Sequence, residues 1–287
     1  MIFLVLLMYA LFASVFTVGK YTLQFVDPYF LTGVRMLLAG LILLPFCKSY
    51  ALKWKLVPLI IGLAFFNVFI TNAFEFWALQ YLQTAKASLI YSFAPLFAIL
   101  LSYVLFKEKM SAIKWLGLGI GFAGFLPIAL QPGDFGAFSR PEFAIMVSSL
   151  TSVIGWLIMK RLMFKHNYSF LTANTYSFLI AGVFSLIAAY FLDSPTPIRE
   201  WKPFLMGLIY ITVIHNVICY NIYCRGLTRF SVALMSFAGF SNPLFTAIYG
   251  YFFLDEKVNT AFFFSLFLVF IGIFIYSRAE TKRVETG

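Results

Sequence analysis

The chain has 287 residues, of which 62% are hydrophobic and 11% charged, with a mean hydropathy of +0.92 and a formal net charge of +10. A soluble domain is typically about half apolar and about a quarter charged, so no water-exposed fold could hide this much apolar surface, and the bilayer must be the solvent. The basic excess lies between apolar segments, as in cytoplasmic membrane loops, so lipid is the expected partner and nucleic acid is not.

A helix needs about 20 apolar residues to cross the hydrocarbon. The sequence reads as an all-α integral membrane protein with ten such spans: 2–19, 29–46, 56–76, 84–106, 112–130, 141–159, 169–192, 203–222, 230–254 and 260–277. The first begins at the N-terminal Met1 without a basic leader and reads as a retained helix. The second carries Arg35, and ionisable groups at membrane depth are functional by default. Arg35 either pairs with Glu75 or receives a substrate carboxylate. The third span places Asn67, Thr71 and Glu75 at i, i+4 and i+8, one polar face that must meet protein or water. The fourth carries Ser88, Tyr91 and a mid-helix Pro95, which frees the carbonyl near Tyr91.

The fifth span contains Gly119-Ile120-Gly121-Phe122-Ala123-Gly124. A dinucleotide fingerprint needs a preceding strand, and here the glycines lie inside an apolar helix, where Gly117 and Gly121 suit close packing. The sixth span carries Trp156. The eighth holds His215, Asn216, Cys219, Tyr220 and Tyr223 together, and His215 is the one histidine within a span. It reads either as a ligand or proton carrier or as an interhelical hydrogen-bonding group. The ninth span carries Asn242 and the second mid-helix proline, Pro243, which frees the carbonyl near Gly239.

Cys47, Cys219 and Cys224 have neither CxxC nor metal-ligand spacing, so no disulfide, metal or cofactor is expected. Connectors hold the charges and turn formers, among them Lys53-Trp54-Lys55, Lys107-Glu108-Lys109, Gln131-Pro132-Gly133-Asp134, Ser194-Pro195-Thr196-Pro197 and Asp255-Glu256-Lys257. If the N-terminus is cytoplasmic, the inner loops and tail hold fourteen Lys and Arg residues and the outer loops six, so both termini are expected inside.

Trp77–Lys109 aligns without a gap on Arg225–Lys257, displaced by 148 positions. Ala85/Ala233, Ser88/Ser236, Pro95/Pro243 and Glu108/Glu256 coincide, and Asn67 falls on His215. Weaker echoes join Gly19-Lys20 to Met159-Lys160 and Phe30-Leu31-Thr32 to Phe170-Leu171-Thr172. Ten spans in two copies give five-helix repeats, 1–136 and 137–287, of opposite orientation, which offers two near-equivalent packings and hence alternating access.

The duplicated pattern A-x-x-S-x-x-x-x-x-x-P-L-F with a terminal E-K resembles the EamA branch of the drug/metabolite transporter superfamily. That resemblance covers essentially the whole chain. It implies a secondary transporter of small organic solutes, with a central cavity lined by the first, third, fourth, sixth, eighth and ninth helices. Lys86 departs from it, standing where the family has a small or hydroxyl residue and making the outer mouth more basic.

The expected function is transport of a small metabolite across the cell inner membrane. Amino acids, or an amino-acid-bearing nucleoside such as S-adenosylmethionine, come first, and multidrug efflux is the alternative. The candidate substrate-binding residues are Arg35, Asn67, Glu75, Ser88, Tyr91, Trp156, His215, Asn216, Tyr220 and Asn242, with Pro95 and Pro243 as hinges. Proton coupling, exchange and facilitation all fit, as do a monomer and a homodimer. A membrane-embedded enzyme would need HExxH, a GxSxG serine or paired intramembrane aspartates, and the chain has none of these. A scaffold role would leave polar residues matched between the repeats without a purpose.

Overall fold

The computed structural model describes residues 2–47, 53–106, 111–124, 126–129, 139–194, 198–230 and 238–286, together with Val232 and Met235. The repeated Glu108, Ala233 and Ser236, the connectors at 107–109, 131–134 and 195–197, and the expected boundary at 136/137 lie outside the described residues. The described residues are helical and carry no strand. In chain order the helices are α1 (Ile2–Thr22), α2 (Pro28–Leu43), α3 (Trp54–Leu79), α4 in two pieces (Thr84–Tyr91 and Ala94–Phe106), α5 (Ala112–Ala123), α6 (Arg140–Lys165), α7 (Phe170–Leu192), α8 (Trp201–Leu227), α9 (Ser241–Leu254) and α10 (Thr260–Thr286). Among the described residues, seven stretches are long and apolar enough to cross a membrane: α1, α2, α3, Thr84–Leu101 of α4, α6, α7 and α8. The chain is a multi-pass membrane protein.

Helix starts follow from local chemistry. Pro28 opens α2, where its missing N–H costs nothing, and the Asp193 carboxylate accepts from the Tyr29 and Phe30 amides at 3.3 and 2.7 Å. Ser139 and Glu142 close a capping box on α6, and Ser169 caps α7. Glu256, just past the end of α9, caps α4 instead: its oxygens accept from the Thr84 amide at 2.8 and 3.1 Å and from Thr84 Oγ1 at 2.6 Å. Lys20 of α1 reaches the same carboxylate at 2.9 Å and the Leu82 carbonyl at 2.7 Å, so three elements meet at one buried anion.

Two helices carry a π-helical segment that no periodicity in the sequence announces. It covers Ala64–Ile70 in α3 and Thr212–Cys219 in α8, starting 148 positions apart. Widening the turn frees carbonyls, and side chains take them up: Thr71 Oγ1 donates to the Phe66 carbonyl at 2.8 Å, and Asn72 Nδ2 to the Val68 carbonyl at 2.7 Å. Proline has the same consequence in α4, where the helix breaks at residues 92–93 and Ser149 Oγ of α6 donates to the Tyr91 carbonyl at 2.9 Å.

Glycines set the closest crossings. On α2 and α7, a Cβ at Gly40 would stand 2.7 Å from Leu179, and one at Gly182 would stand 2.7 Å from Leu37. Those contacts interchange under an offset of 142, which also superposes the helix starts Pro28 and Phe170, two positions on from the echo at 30–32 and 170–172. On α5 and α10, Gly272 faces Gly121 and Gly124 faces Val269, a pair that interchanges under the offset of 148. Small residues let backbones approach where lipid supplies no hydrophobic drive. Gly272→Leu should therefore part α5 from α10 at a cost of about 1–3 kcal/mol, read as a lower melting temperature of the detergent-solubilised protein, whereas Gly119→Leu, with nothing within 4 Å of its Cβ, should melt as the parent does.

Candidate functional site

Between the helices lies a cavity of about 80 Å³. Its walls come from α1 (Tyr9, Phe12, Val15, Phe16), α3 (Thr71, Asn72, Glu75), α4 (Tyr91, Ser92, Ala94, Pro95), α6 (Ser152, Trp156), α8 (His215, Tyr220, Tyr223), the turn before α9 (Gly239) and the first turn of α9 (Asn242). These are the six helices the family resemblance implied.

Aromatic rings dominate one side. Trp156 stacks on Tyr223 with centroids 4.0 Å apart and planes 20° from parallel, and Tyr220 tilts against Trp156 at 5.1 Å. Phe12 meets His215 edge-on at 5.1 Å, and His215 meets Tyr220 at 5.3 Å. Tyr9 is held by its hydroxyl, which donates to the Met235 carbonyl at 2.6 Å.

Arg35 sits one layer behind this wall. It is fully buried, its guanidinium 4.1 Å over the Phe76 ring, with Nη2 donating to Asn72 Oδ1 at 2.6 Å and Nη1 3.3 Å from His215 Nδ1. A guanidinium only donates, so His215 Nδ1 is the acceptor and the ring is the neutral Nε2–H tautomer. Nε2–H is then the nitrogen left for the cavity. The direct Arg35–Glu75 pair is not formed: among the described residues no cation lies within 4 Å of the Glu75 carboxylate, which lines the cavity.

The polar stripe of α3 divides. Asn67 Nδ2 donates to the Ser152 carbonyl at 2.9 Å, Thr71 Oγ1 lies 2.9 Å from Thr151 Oγ1, and Ser148 Oγ donates to the Thr71 carbonyl at 2.6 Å. These bonds fasten α3 to α6, and Asn67 packs against Gly155, where no side chain would fit. Of the residues singled out from sequence, Glu75, Tyr91, Trp156, His215, Tyr220, Asn242 and Pro95 line the cavity. Arg35, Asn67, Ser88, Asn216 and Pro243 do not. Ser88 Oγ bonds back to the Ala85 carbonyl, Asn216 Nδ2 meets Met36 Sδ at 3.1 Å, and Pro243 lies in the first turn of α9.

Asn72, Phe12 and Ser152 were not singled out, and Tyr223 was noted beside His215 without a binding role. Asn72 had a usable signal, since the 148 offset carries it onto Tyr220, and the two touch, Nδ2 to hydroxyl, at 3.4 Å. Asn242 Oδ1 is buried without a hydrogen-bond partner. Lys86 pairs with Glu142 at 2.6 Å, which neutralises the extra charge expected at the mouth. Among the described residues no group of His, Cys, Asp and Glu is placed to hold a metal ion.

The model of the EamA-like transporter family matches residues 1–130 and 139–278. An S-adenosylmethionine/S-adenosylhomocysteine transporter of Chlamydia muridarum is 30% identical over 98% of this chain and 93% of its own length. A transporter of the same description from Chlamydia trachomatis serovar L2 is 30% identical over 98% of this chain and 90% of its own. One solved crystal structure overlays with a TM-score of 0.69 at 17% identity, covering 99% of this chain and 97% of that one, which shows a shared fold.

Arg35→Met would leave Asn72 Oδ1 and His215 Nδ1 without their donor, at about 1–3 kcal/mol for each orphaned group. The variant should melt well below the parent in detergent, and Arg35→Lys should recover part of the loss. An unchanged melting temperature for Arg35→Met would refute the bracing role.

Proposed function

Because the chain belongs to the EamA-like transporter family, we propose that it carries S-adenosylmethionine and S-adenosylhomocysteine across a membrane by alternating access. Family membership makes it a multi-pass membrane transporter of a small molecule and not an enzyme. The observation that carries the substrate class is the 30% identity, over 98% of the chain, to transporters described by those two metabolites. The cavity is consistent in chemistry. Rings of Trp156, Tyr220 and Phe12 suit a purine or a cationic centre, Glu75 and Asn242 Oδ1 suit a cationic centre beside them, and the His215 Nε2–H suits the carboxylate of an amino acid.

Exchange of one metabolite for the other is the mode we favour. Proton carriage by His215 would set a second cationic N–H against the Arg35 guanidinium 3.3 Å away. The chain works as ten helices in two inverted repeats, 1–136 and 137–287, with both termini cytoplasmic in the inner membrane. Three observations support the repeats: π segments 148 positions apart, the interchanging Gly272–Gly121 and Gly124–Val269 contacts, and the touching mates Asn72 and Tyr220. A contact between a residue and its own mate is what a two-fold axis through the site requires. In this topology the Lys20–Glu256–Thr84 cluster ties both repeats together at the outer face.

Proteoliposomes loaded with S-adenosylhomocysteine should take up labelled S-adenosylmethionine several-fold faster than empty ones. Flux that follows a pH gradient and ignores the internal metabolite would replace exchange by proton coupling, and no flux under either condition would overturn the substrate class. The topology has its own check. A membrane-impermeant thiol reagent applied to intact cells should label Arg199→Cys and spare Lys53→Cys, and the reverse pattern would invert the orientation.

A further inference from the structure

Glu75 is the charged group of the cavity that has no direct ion-pair partner: Arg35 acts on it only from beyond 4 Å. Glu75 is 4% exposed, faces the cavity, and has no cation within 4 Å among the described residues. The nearest candidate, Arg35, spends its Nη groups on Asn72 and His215 and stands outside the lining. An ionised carboxylate in a water-poor site is costly unless a positive charge joins it. Around the same space stand the rings of Tyr9, Phe12, Trp156 and Tyr220, whose faces carry the negative end of the aromatic quadrupole. Asn242 adds a buried, unpartnered carbonyl oxygen, another negative end of a dipole. Every one of these groups favours a cation.

We propose that Glu75 and these four rings form a subsite for an organic onium centre, and that it lets the cavity tell the sulfonium of S-adenosylmethionine from the neutral thioether of S-adenosylhomocysteine. The inference rests on the substrate reading above and adds the residues that set preference between the two substrates. The sulfonium is soft and weakly hydrated, so it gives up water readily to ring faces, and its fixed charge gives Glu75 the direct partner it lacks. The thioether offers the rings the same shape less one methyl, and offers the carboxylate nothing. The His215 Nε2–H, braced from behind by Arg35, serves the other end of the substrate and is indifferent to the charge on sulfur.

The test is a pair of dissociation constants measured by calorimetry on the purified full chain, for the parent, Glu75→Gln and Trp156→Leu. Glu75→Gln should weaken S-adenosylmethionine by about tenfold or more, the equivalent of 1.4 kcal/mol, and S-adenosylhomocysteine by less than about twofold. Trp156→Leu should lower the same ratio by a smaller factor, and it serves where Glu75→Gln fails to fold. Equal losses for both ligands, or no loss for either, would overturn the subsite while leaving the transporter reading intact. If the parent binds neither metabolite, the substrate reading falls and trimethylsulfonium chloride decides the subsite alone. It should raise the melting temperature of the parent and not of Glu75→Gln, and no shift with the parent would remove the proposal.

Discussion

A charged group at membrane depth has no water to turn to, so its partners must be built into the protein. Arg35 is the hardest case in this chain, a fully buried guanidinium on α2. Its solution organises the centre of the molecule. Asn72 on α3 and His215 on α8 are fixed by the hydrogen bonds they accept from it, and Phe76 supplies a ring beneath its face. Asn72 in turn meets the Tyr220 hydroxyl, and Tyr220 bonds the Asn67 carbonyl at 3.2 Å. One cation thus sets the rotamers of three cavity residues without touching the cavity.

Under the proposed two-fold relation this node is also where symmetry is broken. Tyr220 bonds directly to Asn67, whereas their mates Asn72 and His215 are bridged by the Arg35 guanidinium. The position related to Arg35 by the α2–α7 offset of 142 is Ser177, a neutral residue whose hydroxyl bonds back to the Asn174 carbonyl. Equivalent backbones can therefore carry an unequal charge pattern. That inequality gives a site on the axis a direction: acceptors such as Glu75 and Asn242 on one part, the Arg35-backed imidazole on another.

The membrane class, the doubled stretch and most of the polar lining could be read from the residues, because hydropathy, spacing and a gapless internal match are sequence properties. Depth in a packed bundle is not. Arg35 and Asn67 stand out in any apolar run, yet both work behind the wall, and only the packing of α6 on α3 separates them from Glu75. The α6 run Ser148, Ser149, Thr151 and Ser152 carried a signal that went unread: four hydroxyl side chains in a span must each find a carbonyl, and two of them close the α3 and α4 backbones. Phe12 could not be told from the other 36 phenylalanines by composition. The π segments were invisible because propensity does not encode them; the side chains that satisfy their freed carbonyls became recognisable only once the turns were seen.

The cavity volume of about 80 Å³ is small for the proposed substrate. Ligands of drug size occupy pockets of roughly 300 Å³ or more, so under the proposed function a nucleoside amino acid enters as helices part. The fold has prepared places for this. α4 is interrupted at residues 92–93 and the chain entering α9 at 239–240, and both interruptions border the cavity through Ser92 and Gly239. The Tyr91 carbonyl freed by Pro95 is already held by Ser149, so bending there exchanges no buried backbone bond. At one end, by contrast, Glu256 binds Thr84 and Lys20 through four hydrogen bonds, and opening on that side must break them. Under the proposed alternating access, a strong closure beside a soft hinge would let the bundle move between discrete packings, because close-packed interiors switch between arrangements more readily than they stretch.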